Sequence, residues 1–185
     1  MLFSRLVVWD HSRSRLQKLD TAAKRGDAMA RCELARELCS RPLSRKEARR
    51  VVELFRQAAD AGLADAQCGL AECYMHGIGV EQNAGRAVKL WQQALAAGCR
   101  EAEISLADCY LEGKGVQQDA TRATQIYRRA AEKGDADACY KLGRCYYLGC
   151  GVKESRSHAL KWLRRAETLH HEDAAEYLRS LERDD

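Results

Sequence analysis

Apolar residues recur along this chain with a period of 36 residues. One position of the period is always leucine, at Leu34, Leu70, Leu106 and Leu142. A second position, four residues later, is apolar or aromatic, at Leu38, Tyr74, Tyr110 and Tyr146. Because four residues are about one turn of an α-helix, the two positions lie on one helical face. The pattern predicts an amphipathic helix in the first half of every period.

Two further apolar columns predict a second helix in each period. One column contains Val52, Val88, Thr124 and Leu160. The other contains Phe55, Trp91 and Tyr127 and ends at Trp162 or Leu163, with the last period shifted by one residue. Side chains that can cap the second helix precede it at Asn83, Asp119 and Ser155. In the first period Ser44 and Glu47 are spaced as a capping box, which predicts a helix start there as well.

Glycines mark the ends of both helices. One set, which brackets the periods, consists of Gly26, Gly62, Gly98 and Gly134. A second set opens a Gly-x-Gly-Val turn at Gly77, Gly113 and Gly149. Glycine adopts the positive φ angles that end a helix and form a tight turn, so these segments separate the two helices of a period.

A fixed period of this length is typical of a stack of like units. The sequence therefore predicts an all-α solenoid of antiparallel helix pairs, in a single domain over residues 1–185. We expect four repeats, at 26–61, 62–97, 98–133 and 134–169. Half-repeat capping helices are predicted at 10–25 and 172–182. Polar residues give the last cap an outer face that stops further stacking, at Glu172, Asp173, Glu176, Arg179 and Glu182.

The motif L-(G/A)-x-x-Y-x-x-G-x-G-V, followed by an Asp or Asn cap and a second helix that ends at glycine, resembles the Sel-one-like repeat, a relative of the tetratricopeptide repeat. The resemblance covers about residues 26 to 170 and is specific in the last three periods. It implies a right-handed α-solenoid whose first helices line a concave, protein-binding face. Family members act as adaptors in signalling, protein quality control, secretion and contact between bacterium and host.

Nine cysteines and a single proline stand out in the composition. Five of the cysteines fall into two columns of the period. One column contains Cys73, Cys109 and Cys145, and the other contains Cys32 and Cys68. Such columns are typical of small buried hydrophobic residues. Some members of the family bridge the two helices of a unit by disulfides, but the second helices here contain no cysteine. An odd count and the lack of such partners favour reduced thiols and a cytoplasmic protein. Cys150 is expected to be the most exposed thiol.

The sequence offers little for catalysis, metals or membranes. The cysteine spacings lack the CxxC pairs of a zinc site, and His170 with His171 lacks the spacing of a metal-binding helix. No nucleophile elbow, phosphate loop or dinucleotide motif is present. No apolar run is long enough to span a membrane, and residues 1–9 are too short for a signal peptide. We therefore expect no enzyme, no cofactor and no membrane insertion.

Positive charge is concentrated at the start of the chain. Residues 1–60 contain 14 Lys and Arg against 8 Asp and Glu, whereas residues 61–185 contain 17 against 19. A solvated helix face explains this excess, and a docking patch for an acidic partner is the alternative. The candidate basic docking patch is Arg45, Lys46, Arg49 and Arg50. Nucleic acid binding is disfavoured, because there is no continuous basic stripe with interleaved aromatic residues.

The concave face is expected to present the side chains that point away from the Leu and Tyr columns. These are Arg36, Cys39, Cys68, Glu72, Met75, His76, Ile104, Asp108, Leu111, Glu112, Tyr140, Arg144, Tyr147 and Leu148. Apolar and aromatic members of the set predict a partner site, although packing between repeats is an alternative for Ile104 and Tyr140. Arg36, Glu72, Asp108 and Arg144 predict alternating charge along the groove, which suits selection of a peptide register.

The function predicted from these observations is that of a non-catalytic adaptor, scaffold or inhibitor that binds a segment of a partner protein. The alternative is a redox- or metal-responsive protein that works through its cysteines. A bacterial secretion-accessory or immunity protein is a special case of the first class, and it rests on the family resemblance alone.

Overall fold

The structure is a computed structural model that describes the backbone of residues 3–183 and the side chains of residues 14–181. Within these residues it contains ten α-helices and no strand. The helices form two compact units, of which the first ends at Cys99 and the second begins at Arg100. The first unit contains α1 Phe3–Lys24, α2 Ala28–Cys39, α3 Arg45–Asp60, α4 Ala64–His76 and α5 Ala84–Ala96. The second contains α6 Glu101–Glu112, α7 Ala120–Glu132, α8 Ala136–Leu148, α9 Arg156–Thr168 and α10 Ala174–Arg183.

Each helix of a unit packs against the next helix in the chain, and α2 also packs against α4. The core of the first unit includes the predicted columns, with Leu34, Val51 and Phe55 almost completely buried. In the second unit Tyr127 and Leu142 are fully buried. Antiparallel helix pairs that stack through their apolar faces make this an all-α solenoid.

The predicted helix starts are confirmed. Asn83 and Asp119 accept hydrogen bonds from the amides of Arg86 and Arg122, both at 2.9 Å. Ser155 caps α9 in the same way, and Ser44 forms its capping box with Glu47. Hydrogen bonds from Ser44 lower the pKa of the Glu47 carboxyl to about 2, and Arg41 acts in the same direction.

The two glycines of the Gly-x-Gly-Val turn have different tasks. Gly77, Gly113 and Gly149 are the left-handed C-caps of α4, α6 and α8. The second glycines Gly79 and Gly151 also have positive φ, but they lie against the backbone of the second helix of the preceding repeat. A Cβ atom at Gly79 would be 2.3 Å from the carbonyl oxygen of Ala48, and one at Gly151 would be 2.1 Å from that of Ala120. Only glycine therefore fits where these turns meet the neighbouring repeat.

Three details differ from the sequence expectations. Helix α1 begins at Phe3, well before the cap helix predicted at 10–25, and α10 spans Ala174–Arg183 where 172–182 was expected. Leu163 is fully buried and Trp162 only partly, so the last period keeps its register and is not shifted. The side chain of Glu182 lies outside the described residues.

Candidate functional site

In the first unit, the predicted surface residues on α2 and α4 are mostly accessible. Arg36, Cys39 and His76 are exposed, and Glu72 is partly exposed. Nη2 of Arg36 is 3.6 Å from Oδ2 of Asp65, and Nε2 of His76 is 3.3 Å from Oε2 of Glu72. This face of the first unit therefore carries charged groups of both signs.

Cys68 and Met75 do not belong to that surface, which corrects the sequence expectation. Cys68 is 6% exposed and Met75 is 8% exposed. They share a stripe of α4 with Ala71, which is completely buried, because residues three and four apart lie on one helical face. Helix α4 thus buries two of its faces, and only Glu72 and His76 of the predicted set lie outside them.

The same stripe is partly buried in the second unit. Ile104 and Leu111 of α6 pack against the core that contains Ala107, so they complete packing between repeats. Glu112 is exposed, and its carboxylate pairs with the Lys114 ammonium group. Of the predicted residues on α6, Glu112 is therefore exposed, and Ile104 and Leu111 are partly buried.

Asp108 is held in a network inside the second unit. The Tyr127 hydroxyl donates a hydrogen bond of 2.5 Å to Asp108 Oδ1. The Lys141 ammonium group donates to both oxygens of the same carboxylate, at 2.8 and 2.6 Å, and is 3.4 Å from Asp137. The charge of Asp108, expected to line a groove, is therefore compensated by a residue of the next repeat.

The pKa values of its two partners reflect this arrangement. Burial raises the pKa of Tyr127 far above the usual range, and the hydrogen bond to Asp108 adds to the effect. Burial alone would lower the pKa of Lys141, but Asp108 and Asp137 outweigh it and the pKa is raised. At neutral pH Tyr127 is therefore a neutral phenol and Lys141 an ammonium group.

Helices α8 and α10 form a different arrangement, which we call the aromatic cluster: Tyr140, Arg144, Tyr147 and Tyr177. The Tyr177 ring meets Tyr140 and Tyr147 edge to face, with centroids 5.8 and 6.2 Å apart. The guanidinium carbon of Arg144 is 5.7 Å from the Tyr140 ring and 5.9 Å from the Tyr177 ring. Such distances are typical of cation–π contacts.

The aromatic cluster is accessible from solvent. Arg144 is exposed, and all three tyrosines are partly exposed. Leu148, at the end of α8, is 56% exposed. Burial raises the pKa of Tyr177, while Arg144 acts in the opposite direction.

Sequence reasoning missed two residues of this region. Tyr177 was assigned only to a capping helix. The equivalent position in the preceding repeat is Lys141, so the 36-residue period did not predict an aromatic residue there. His171 stacks on Tyr140 with ring centroids 4.3 Å apart, and its Nε2 atom is 3.5 Å from Asp137 Oδ1. The sequence could have indicated the position of His171, because it lies one period after Asp135, the N-cap of α8. His170 has φ 61° and occupies the column of the bracketing glycines.

The candidate basic docking patch lies on the exposed side of α3. Arg50 pairs with Asp20 of α1. Arg45, Lys46 and Arg49 are exposed and form no ion pair within the part of the chain that the structure describes. Among the described residues, the patch therefore presents three positive charges without an ion-pair partner.

The cysteines are mostly buried, as the columns predicted. Seven are buried, and burial raises the pKa of Cys73 to about 12 and that of Cys145 to about 11. Cys39 is exposed and Cys150 only partly, so the expectation that Cys150 is the most exposed thiol is wrong. No group of three or more metal-ligating side chains occurs among the described residues. Within the same residues, no helix has the length and apolar character to cross a membrane.

Comparison with known proteins identifies the repeat. The model of the Sel1 repeat matches residues 51–63, 64–99, 100–135 and 136–171, which together are more than half of the chain. The chain has no significant match among proteins of curated function.

Solved structures with this repeat superpose on most of the chain. A Sel1 repeat protein from Oxalobacter formigenes has a TM-score of 0.78 at 28% identity over 88% of this chain and 65% of its own. The protective antigen c5321 of uropathogenic Escherichia coli strains, with an SLR fold, has a TM-score of 0.74 at 29% identity, over 88% of this chain and 35% of its own. The chain thus spans less than two thirds of either relative. The immunity protein Pa5087 of Pseudomonas aeruginosa, at 23% identity, has a TM-score of 0.62 over 83% of this chain and 57% of its own, and shares the fold alone.

Proposed function

Because the chain belongs to the Sel1 repeat family, whose members are generally non-catalytic protein-interaction scaffolds, we propose that it is an adaptor or inhibitor that binds a segment of a partner protein. The binding residues are those of the first helices that remain accessible. In the second unit these are the aromatic cluster and Leu148, and in the first unit they include Arg36, Glu72 and His76.

The aromatic cluster is the observation that carries the proposal. Tyrosine and arginine are enriched among the residues that supply most of the binding energy at protein interfaces. Here the Tyr177 ring is 5.8 Å from the Tyr140 ring and 6.2 Å from the Tyr147 ring at a partly exposed surface. The Arg144 guanidinium carbon is 5.7 Å from the Tyr140 ring and 5.9 Å from the Tyr177 ring. Their rings support one another, so little side-chain entropy is lost when a partner binds.

The charges around the cluster indicate what the partner segment carries. Lys141 is compensated by Asp108 and Asp137, whereas Arg144 is an exposed cation beside the rings. A carboxylate placed over Arg144, with apolar side chains over Tyr147 and Leu148, complements this surface. We therefore propose a partner segment that combines an acidic residue with neighbouring apolar residues.

The basic docking patch on α3 is a proposed second contact in the first unit. Arg45, Lys46 and Arg49 would attract an acidic stretch of the partner and increase the rate of association. Inhibition is a special form of the same function, in which the bound segment is kept from its own target. The immunity protein among the structural relatives motivates an assay of the partner's activity, but it supports the fold alone.

The test compares binding by variants of adjacent tyrosines. A partner isolated with the parent chain from its native host is purified, and its Kd is measured by calorimetry. Tyr147→Ala and Arg144→Ala should each weaken binding about 30-fold, which corresponds to about 2 kcal/mol. Tyr146→Ala is the matched control, because Tyr146 stacks on His158 away from the cluster.

Thermal melts of all three variants show whether each remains folded. Retention of parental affinity by folded Tyr147→Ala and Arg144→Ala would place the binding surface elsewhere. A loss that Tyr146→Ala shares equally would also contradict the assignment to the cluster.

A further inference from the structure

Two buried cysteines of the first unit meet at close range. Cys68 lies in α4, and Cys99 follows the C-terminal end of α5. Their Sγ atoms are 2.7 Å apart, and each residue is 6% exposed. The bond length of a disulfide is about 2.05 Å, so a small rotation of either side chain brings the sulfurs to bonding distance.

The contact belongs to the repeat geometry. Cys68 and Cys99 are 31 residues apart, as are Tyr140 and His171, whose rings stack in the second unit. In the first period the same two positions are Cys32 and Leu63, which belong to one hydrophobic core. The fold therefore brings the first helix of a repeat against a residue just before the first helix of the following repeat, and in one case both positions are cysteine.

We propose that Cys68 and Cys99 form a disulfide that links α4 to the end of α5 under oxidising conditions. The reaction needs an oxidant, for which a low-molecular-weight disulfide such as glutathione disulfide suffices. One protein thiolate attacks the glutathione disulfide and releases one glutathione thiolate. The second protein thiolate then attacks the mixed disulfide and releases the other. In total the two protein thiols lose two protons and two electrons, and the oxidant is reduced to two thiols.

The cross-link closes a loop that contains the whole of α5. It restricts the unfolded chain and should therefore stabilise the folded first unit. The site lies apart in sequence from the aromatic cluster, and the proposal does not depend on the proposed binding function. A mapping experiment must distinguish it from three neighbouring pairs, which are Cys32 with Cys99, Cys39 with Cys73 and Cys145 with Cys150.

The experiment is disulfide mapping of the full chain after equilibration with glutathione disulfide. The sample is quenched with acid, alkylated in denaturant and digested with trypsin without reduction. Cleavage after Arg56 and Arg86 leaves Cys68 and Cys73 on one peptide, whereas Cys99 lies on the peptide 90–100. The Cys73→Ala variant removes this ambiguity and also serves as a control for the loss of a buried α4 cysteine.

The expected result is one linked pair of peptides, 57–86 with 90–100, in both the parent and Cys73→Ala. The oxidised chain should melt about 6 °C above the reduced chain, a difference that Cys99→Ala abolishes. Full alkylation of Cys68 and Cys99 in the equilibrated parent would overturn the proposal. Linkage of either residue to another cysteine would overturn it as well. If the variant does not fold, fragmentation of the linked peptides of the parent by tandem mass spectrometry shows whether Cys68 or Cys73 is joined to Cys99.

Discussion

Two successive contacts between first helices in the second unit use the same repeat positions for different purposes. Between α6 and α8, Asp108 meets Lys141, which lies 33 residues later. Between α8 and α10, Arg144 meets Tyr177, again 33 residues later. The backbone arrangement recurs, and the side chains alone distinguish an ion pair from a cation over aromatic rings.

The difference arises from the second helix behind each contact. The Tyr127 hydroxyl of α7 donates a hydrogen bond to Asp108, so a buried residue of the second helix takes part in the first contact. One period later this position is Leu163, which has no polar atom to offer Arg144. Arg144 therefore remains at the surface. A repeat protein can in this way convert a stabilising contact into a recognition surface without a change in backbone.

The largest expected effect comes from removal of the central carboxylate. Asp108→Ala leaves the buried Tyr127 hydroxyl without an acceptor and Lys141 without its closest counter-charge. We expect a loss of about 2–3 kcal/mol in the free energy of unfolding, measured by urea titration. Arg144→Ala, at the equivalent position, should cost less than about 1 kcal/mol because its partners are accessible to water. Equal losses in the two variants would show that the contacts do not differ as described.

The hydroxyl of Tyr127 should account for part of that loss. Tyr127→Phe removes one hydrogen bond and keeps the ring, so we expect a cost of about 1–1.5 kcal/mol. In the Asp108→Ala background the same change should restore part of the lost stability, because it removes a buried hydroxyl that has no acceptor there. A double-mutant cycle of urea titrations measures this coupling, and strictly additive losses would contradict the network.

A substitution just before α10, the helix that contributes Tyr177 to the second contact, should increase the stability of the folded protein. His170 adopts φ 61°, a left-handed conformation that costs a residue with a side chain about 1 kcal/mol, so His170→Gly should gain about that amount. Gly134→Ala is the reverse experiment before α8, because an added Cβ there meets no atom within 4 Å and reports the strain of φ 90° alone. Thermal melts should shift in opposite directions, and a loss of stability in His170→Gly would assign the side chain a contact of its own.

The smallest effect is a dependence on alkaline pH. The pKa values of Tyr127 and Lys141 are raised in the folded state, so both groups keep protons that the unfolded chain releases above about pH 10. Their stabilisation is complete below that pH and falls as pH rises towards the folded pKa values, by less than about 1 kcal/mol for Tyr127 near pH 10.5. Urea titrations at pH 9 and 10.5 with a reductant should show a smaller decrease in Tyr127→Phe than in the parent. An unchanged decrease would exclude the phenol as its source.

Most of the fold followed from the period of the sequence. The helix pairs, the caps at Asn83, Asp119 and Ser155 and the buried cysteine columns were predictable, because each depends on local spacing and on the face of one helix. The repeat gave four independent readings of the same positions, so an irregular residue in one period did not obscure the pattern.

The candidate site was less predictable, since a period shows which residues share an environment and not which residues they meet. The sequence placed Asp108 and Cys68 on the concave face. The structure shows that Asp108 pairs with Lys141 and that Cys68 is buried against Cys99. Met75 looked exposed because the sequence marked one buried face of α4, whereas the structure has two. Tyr177 lies in a capping helix whose sequence departs from the repeat, so the columns said nothing about its ring.

The second glycine of each Gly-x-Gly-Val turn has a consequence for protein engineering. A Cβ atom at Gly79 or Gly151 would collide with main-chain atoms of Ala48 or Ala120, so a residue with a side chain does not fit the turn at that point. A redesign of the repeat should therefore change the helices away from this turn, or exchange complete repeats. A library built by shuffling whole 36-residue modules would retain this main-chain contact in every member. Random loop grafts at the same turns would lose it.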